Sequence, residues 1–82
     1  MTKNGLDKEC VRAWLAQKFI PGDRIDYFHR SSIRRAYYEA FGVTAKLDPE
    51  EVIDMFLDVY PKAKENNEHF FGYTETNYKL TN

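Results

Sequence analysis

An 82-residue chain with a formal net charge of −1 is one domain at most, small enough that folding buries only roughly 60% of the surface its unfolded form exposes. A composition of 43% hydrophobic and 16% aromatic residues, with six Tyr, six Phe and one Trp, excludes a disordered tail and points to a core made of a few large rings. No apolar run approaches the roughly 20 residues that span a bilayer, and no charged segment followed by an apolar one marks a signal peptide, so the expectation is a soluble, cytoplasmic protein with no membrane partner.

From Leu6 to Phe19, the residues Cys10, Val11, Trp14, Leu15 and Phe19 recur at helical spacing, with Asn4 or Asp7 available as the N-cap; this is the first predicted helix. Cys10, the only cysteine, cannot form an internal disulfide and begins no zinc site of ordinary spacing, so it reads as a buried helix residue. Pro21 and Gly22 stop the helix and open the loop "IPGDRIDYFHR", in which Ile25 and Phe28 are candidates for anchoring to the core and Arg24 to Asp26 for a short strand. In "SSIRRAYYEAFG", Ile33, Ala36, Tyr37, Ala40 and Phe41 make one helical stripe ended by Gly42, giving a second helix.

Asp48, Pro49 and Glu51 form a strong helix start: a capping residue, proline at the first helical position, and a carboxylate three after the cap. Val52, Met55, Phe56 and Val59 are its inner stripe, and Pro61 ends this third helix near Tyr60. "KAKENNEHFFGYTET" then reads as a hairpin with its tip between Glu65 and Glu68, Asn66 and Asn67 tolerating positive φ. Strict alternation puts Phe71 and Tyr73 on one face of the returning strand and Phe70 and Gly72 on the other, so Trp14, Leu15, Tyr37, Phe41, Phe56 and Phe71 are expected to converge. Residues 1–75 make one domain and residues 76–82 a polar, flexible tail. The expected fold is mainly α with a small β-hairpin: a winged helix, three helices plus a C-terminal wing.

The chain resembles the small winged-helix domain that accompanies the helicase in primase-helicases of phages, poxviruses and mobile elements. The residues that carry the resemblance lie between Val11 and Thr74: Trp14 and Phe19 in the first helix, "GDRID", "RRAYYEAFG", "LDPEEVIDMFLDVY" and a wing ending "HFFGY". The resemblance implies a replication-associated, nucleic-acid-binding role without catalysis or cofactor. It also implies a third helix carrying Arg and Lys for the major groove. Here Glu50, Asp54 and Asp58 fall at i, i+4 and i+8 with Glu51 beside them, an acidic stripe that repels phosphates and argues against groove insertion.

Charge is divided along the chain. Residues 1–42 hold eight Lys/Arg against five Asp/Glu, whereas residues 43–82 hold four against eight, so a polyanion should meet the first half. Lys18, Arg24, His29, Arg30, Arg34 and Arg35, with Tyr38 as a stacking ring, are the candidate nucleic-acid contacts, joined on the wing by Lys62, Lys64 and His69 and diluted there by Glu65 and Glu68. Against this stands a plainer reading in which the arginines pair with Glu39 or with the acids of the third helix. Glu50, Glu51, Asp54 and Asp58 are either a solvated face or a dock for a basic replication protein such as a polymerase or helicase. Neither histidine has a nucleophile or metal-ligand partner at diagnostic spacing and no phosphate-binding loop is present, so no enzyme, metal or cofactor is expected.

Overall fold

Asp7, His29 and Asp48 each start a helix by accepting a backbone N–H from the first turn, and the three helices they cap form the frame of the protein. The computed structural model describes residues 4–80, in the order α1 Lys8–Lys18, β1 Phe19–Pro21, β2 Tyr27–His29, α2 Arg30–Phe41, a 3-10 turn Gly42–Thr44, α3 Pro49–Val59, β3 Glu65–Asn66, β4 His69–Phe71 and β5 Tyr73–Glu75. The strands make two small antiparallel sheets, β1-β5 and β2-β4-β3. No described helix is long and apolar enough to cross a membrane.

Of the two candidate caps of α1, Asp7 is the one used. Asp7 accepts from Glu9 N and Cys10 N, while Asn4 Oδ1 accepts from Leu6 N and folds the preceding turn. Cys10, Val11, Trp14 and Leu15 are buried. At the other end, the carbonyls that a helix terminus leaves unpaired are all met by tertiary donors. Tyr60 Oη is shared between Ala16 O and Phe19 O, Thr76 Oγ1 donates to Gln17 O, and Thr76 N donates to Lys18 O at 2.7 Å. Thr76, expected in a loose tail, is therefore tied to α1, and Tyr78 and Leu80 pack on the core; residues 81 and 82 lie outside the described residues.

The α2 stripe buries Ile33, Ala36, Tyr37 and Phe41 as its spacing predicts. Tyr37 does more than fill space. Its hydroxyl donates to Gly5 O at 2.6 Å and accepts from Leu47 N at 3.1 Å, clamping both the N-terminal segment and the α2–α3 connection to the middle of α2. Gly5 fits there because a Cβ would stand 2.5 Å from Thr44 O. The connection thus runs back along α2, and α3 begins beside the first turns of that helix. In α3, Asp48 accepts from Glu50 N, Pro49 takes the first turn, and Val52, Ile53, Met55 and Phe56 are buried, with Val59 half-buried.

The β region departs from expectation in three ways. Arg24 to Asp26 is not a strand: Asp26 N donates to Asp23 O and Asp23 N to Asp26 Oδ2, so residues 23–26 form a turn extruded between β1 and β2, and Ile25 is 78% exposed while Phe28 is buried. The strand after α1 is instead Phe19–Pro21, paired with β5. Lastly, alternation fails at Gly72. At φ +86 it lets the strand change sheets, its N–H donating to Asp26 O and its carbonyl accepting from Gly22 N. Phe70 and Tyr73 consequently both turn inward, and Phe71, expected in the core, is 48% exposed while Phe70 is fully buried. The hairpin tip is a two-residue turn, Asn67 and Glu68, both at positive φ, between the paired Asn66 and His69.

Phe56 is the centre of the core. Its ring lies 5.0 Å from Phe70, 5.4 Å from Tyr60, 5.7 Å from Phe28 and Tyr73, and 6.0 Å from Phe19, mostly edge to face. Trp14 makes a second cluster with Phe41, Phe19 and Tyr37. Truncating Phe56 or Phe70 to Ala should cost about 3–5 kcal/mol, much of what so small a domain has, whereas Phe71→Ala should stay within about 0.5 kcal/mol. Denaturant midpoints of the three variants check the strand register directly, because equal losses at Phe70 and Phe71 would contradict the turn at Gly72.

Burial also pushes the Tyr37 and Tyr60 phenols above their ordinary pKa of 10.0. Below that value the phenols are neutral in both folded and unfolded chains and do not affect the balance. Above it the unfolded chain releases protons that the folded one retains, so stability falls as pH rises through the folded values. Urea midpoints measured from about pH 9 to 12 should therefore decline, and Tyr37→Phe with Tyr60→Phe, although less stable at neutral pH, should show a shallower decline.

Candidate nucleic-acid interface

Folding sorts the predicted cations into two sets. Lys18 is largely covered and structural: Nζ donates to Thr76 O at 2.9 Å and lies 3.3 Å from Glu75. Arg35 reaches Glu75 at 3.1 Å and Glu39 at 3.5 Å. Arg30 is held by Glu50 of α3 and by Glu65 of β3, while its backbone N–H donates to Glu68 O, so one residue joins α2, α3 and the hairpin. Burial of Arg30 disfavours its charge, but the hydrogen bond with Glu50 and the nearby charges of Glu65, Glu50 and Glu68 outweigh that and raise its pKa. The plainer reading of the sequence thus describes Arg30 and Arg35, which meet Glu50 and Glu39.

The second set has no carboxylate within ion-pair distance among the described residues: Arg24, Arg34, Lys62 and Lys64. Arg24 sits in the extruded turn before β2, and Lys62 and Lys64 lie between α3 and β3, all exposed. Arg34, one turn beyond Arg30, stands 6.0 Å from the centre of the Tyr38 ring, itself 41% exposed. With Arg30, Ser31, Pro49, Glu50 and Ile53, Arg34 lines a shallow cavity of about 200 Å³ where the first turns of α2 and α3 meet.

His29 has a role its sequence position does not reveal. Its Nδ1 accepts from Ser31 N at 3.0 Å and caps α2, and its Nε2 faces Glu68 at 3.6 Å. His69, its partner in the β2–β4 register, donates from Nδ1 to Asn67 O. Among the described residues no three His, Cys, Asp or Glu side chains form a group that could hold a metal ion.

Comparison of the chain with protein families, with curated proteins and with solved structures finds no match. The site has to be read from its own chemistry.

The acids divide as the cations do. Glu50 is taken by Arg30 and Glu51 by Lys8 of α1, while Asp54 and Asp58 are exposed and make no ion pair among the described residues. Sequence reasoning passed over Tyr27 and placed Phe71 in the core. These stand opposite each other on the outward face of the three-stranded sheet with ring centres 5.5 Å apart, and the signal was the period-two pattern around Phe28 and Phe70.

Because Arg30 joins three elements and Arg34 joins none, their substitutions should separate. Arg30→Ala should cost about 1–2 kcal/mol by leaving Glu50 and Glu65 facing each other without a cation, while Arg34→Ala should cost no more than about 0.5 kcal/mol. Chemical denaturation of the two variants checks this ordering.

Proposed function

We propose that this chain is a non-enzymatic winged-helix domain that binds nucleic acid through its wing and the outer side of α2, in a replication transaction of phage or mobile-element type. The winged-helix half of the reading is supported by β2, a strand placed between the first two helices that pairs with the returning strand of the hairpin in the order β2-β4-β3. A fold does not fix a function. The functional half is carried by one observation: of the cations singled out in the sequence, Arg24 in the turn before β2, Arg34 on α2, and Lys62 and Lys64 ahead of β3 make no ion pair with a carboxylate among the described residues, whereas Lys18, Arg30 and Arg35 do.

Insertion of α3 into a groove does not fit, because Asp54 and Asp58 would face phosphates. Phosphate contacts act through counterion release and read no bases. Replacing Arg34, Lys62 and Lys64 together by Ala should therefore weaken binding of every sequence alike. It should also flatten the dependence of log affinity on log salt by roughly 2–3 units. Fluorescence anisotropy with duplex and single-stranded oligonucleotides over a range of salt measures both effects. An unchanged slope would remove these residues from the interface.

A second reading has its own observation, the exposed and unpaired Asp54 and Asp58. On it, α3 docks a basic replication protein such as a polymerase or helicase. Asp54→Lys with Asp58→Lys should then abolish the complex, chiefly by slowing association and most strongly at low salt. On the nucleic-acid reading the same pair should give only a modest, long-range gain in affinity. A large gain would instead restore α3 to the contact surface.

A further inference from the structure

The outward face of the three-stranded sheet carries more exposed ring surface than a soluble domain of this size needs. Inward alternation buries Phe28 and Phe70, which stack at 5.5 Å beside Phe56. The same alternation turns Tyr27 and His29 outward from β2, and His69 and Phe71 outward from β4. The four form a two-by-two array with centres 4.9–6.1 Å apart: Tyr27 beside Phe71, His29 edge-on to His69, and His69 near both Tyr27 and Phe71. Tyr27 is 60% exposed. Ile25, in the turn that leads into β2, is exposed as well.

The surroundings specify what kind of partner this array suits. Across the sheet, the β3–β4 register pairs Asn66 with His69 and Glu65 with Phe70, and continuing it one residue beyond β3 places Lys64 level with Phe71. Arg24 is in the turn that leads into Tyr27, together with Asp23 and Asp26, of which Asp26 is engaged by Asp23 N, and makes no ion pair among the described residues. At the other end of the array, Glu68 faces His29. With Nδ1 donating to Asn67 O, neutral His69 keeps Nε2 as a free acceptor. Flat apolar rings, a polar acceptor and cations at the margin are what an unpaired nucleobase and its phosphate require: a π face to stack on, an acceptor for a base N–H, and a counter-charge for the backbone. A paired duplex offers no free base faces to such a sheet.

We infer that Tyr27 and Phe71, with His69 beside them, are a stacking platform for the bases of single-stranded nucleic acid, with Lys64 and Arg24 holding the adjoining phosphates. This deepens the nucleic-acid reading and rests on it, by naming the strand state and the bases as what the wing recognises. The two are separable because the cations serve any polyanion, whereas the rings serve only bases that are free to stack.

The experiment compares three labelled probes by fluorescence anisotropy: an oligothymidylate, an abasic strand of the same length, and a duplex. Wild-type protein should bind the oligothymidylate more tightly than the abasic strand. Tyr27→Ala and Phe71→Ala should each weaken that binding by about 5- to 150-fold while changing abasic and duplex affinities no more than about twofold. Tyr27→Phe should retain binding, and Phe71→Leu, which keeps apolar volume but loses the ring, should behave like Phe71→Ala and guards against misfolding as the cause. Equal binding of oligothymidylate and abasic strand, or unchanged oligothymidylate affinity in the ring variants, overturns the platform while leaving the cationic interface in place. Binding to none of the probes overturns both readings. A wild-type dimer in sedimentation that Phe71→Ala converts to monomer would show the face to be a self-interface and overturns the platform as well.

Discussion

The position of the Phe56 ring decides most of what this molecule can present to solvent. It projects from the apolar stripe of α3 into a space walled by Phe19 of β1, Phe28 of β2, Phe70 of β4 and Tyr73 of β5, so one side chain holds the helices against both sheets. In a chain of 82 residues no second core exists to take over this role. Because Phe28 and Phe70 must face inward to meet it, their strand neighbours must face outward, and two of those neighbours are Tyr27 and Phe71. The exposed aromatic array is thus the geometric counterpart of the buried one. A register shift of one residue in β2 or β4 would exchange the two and expose the core.

Electrostatics follow from the same packing. Running the α2–α3 connection back along α2, fastened by Tyr37, brings the first turns of α2 and α3 side by side and sets Glu50 against Arg30. The hairpin then arrives with Glu65 on the other side of the same guanidinium. At the opposite end, Thr76 and Tyr60 satisfy the carbonyls of α1 and leave Lys18 and Arg35 to share Glu75. These pairs are individually small in energy where they are exposed. Their larger consequence is subtraction, since each neutralises a cation that would otherwise be counted in an interface.

How far the sequence foretold this depends on whether a feature is local. The three helices were legible from spacing and caps, Asp7, Gly42, Asp48 and Pro49 among them, because a helix satisfies its hydrogen bonds within itself. The β region was not. Pro21 disguised β1, and Gly72 at positive φ broke the alternation that placed Phe71 in the core. In both cases the deciding hydrogen bonds join residues about fifty apart, which a local period cannot report. The His29 cap escaped notice because imidazole is an unusual N-cap and the residue carried a second plausible role as a cation. The candidate site was legible in composition only. Arg30, Arg34 and Arg35 look alike in sequence, and tertiary contacts alone make two of them structural and one free.

The acidic stripe of α3 acquires a meaning from this division. Its first-turn members, Glu50 and Glu51, are held by Arg30 and Lys8. Asp54 and Asp58 continue the line of Glu50 down the helix and have no ion-pair partner among the described residues. Like charges in a row produce a field that a polyanion avoids before any contact is made. On the proposed reading, a strand approaching along Arg34 meets repulsion on the α3 side, but cations and open rings at the three-stranded sheet. On the proposed reading the acids therefore bind nothing. They bar the third helix from the groove-reading pose that a winged-helix fold would otherwise allow, and they direct a bound strand onto the sheet face where Tyr27 and Phe71 lie.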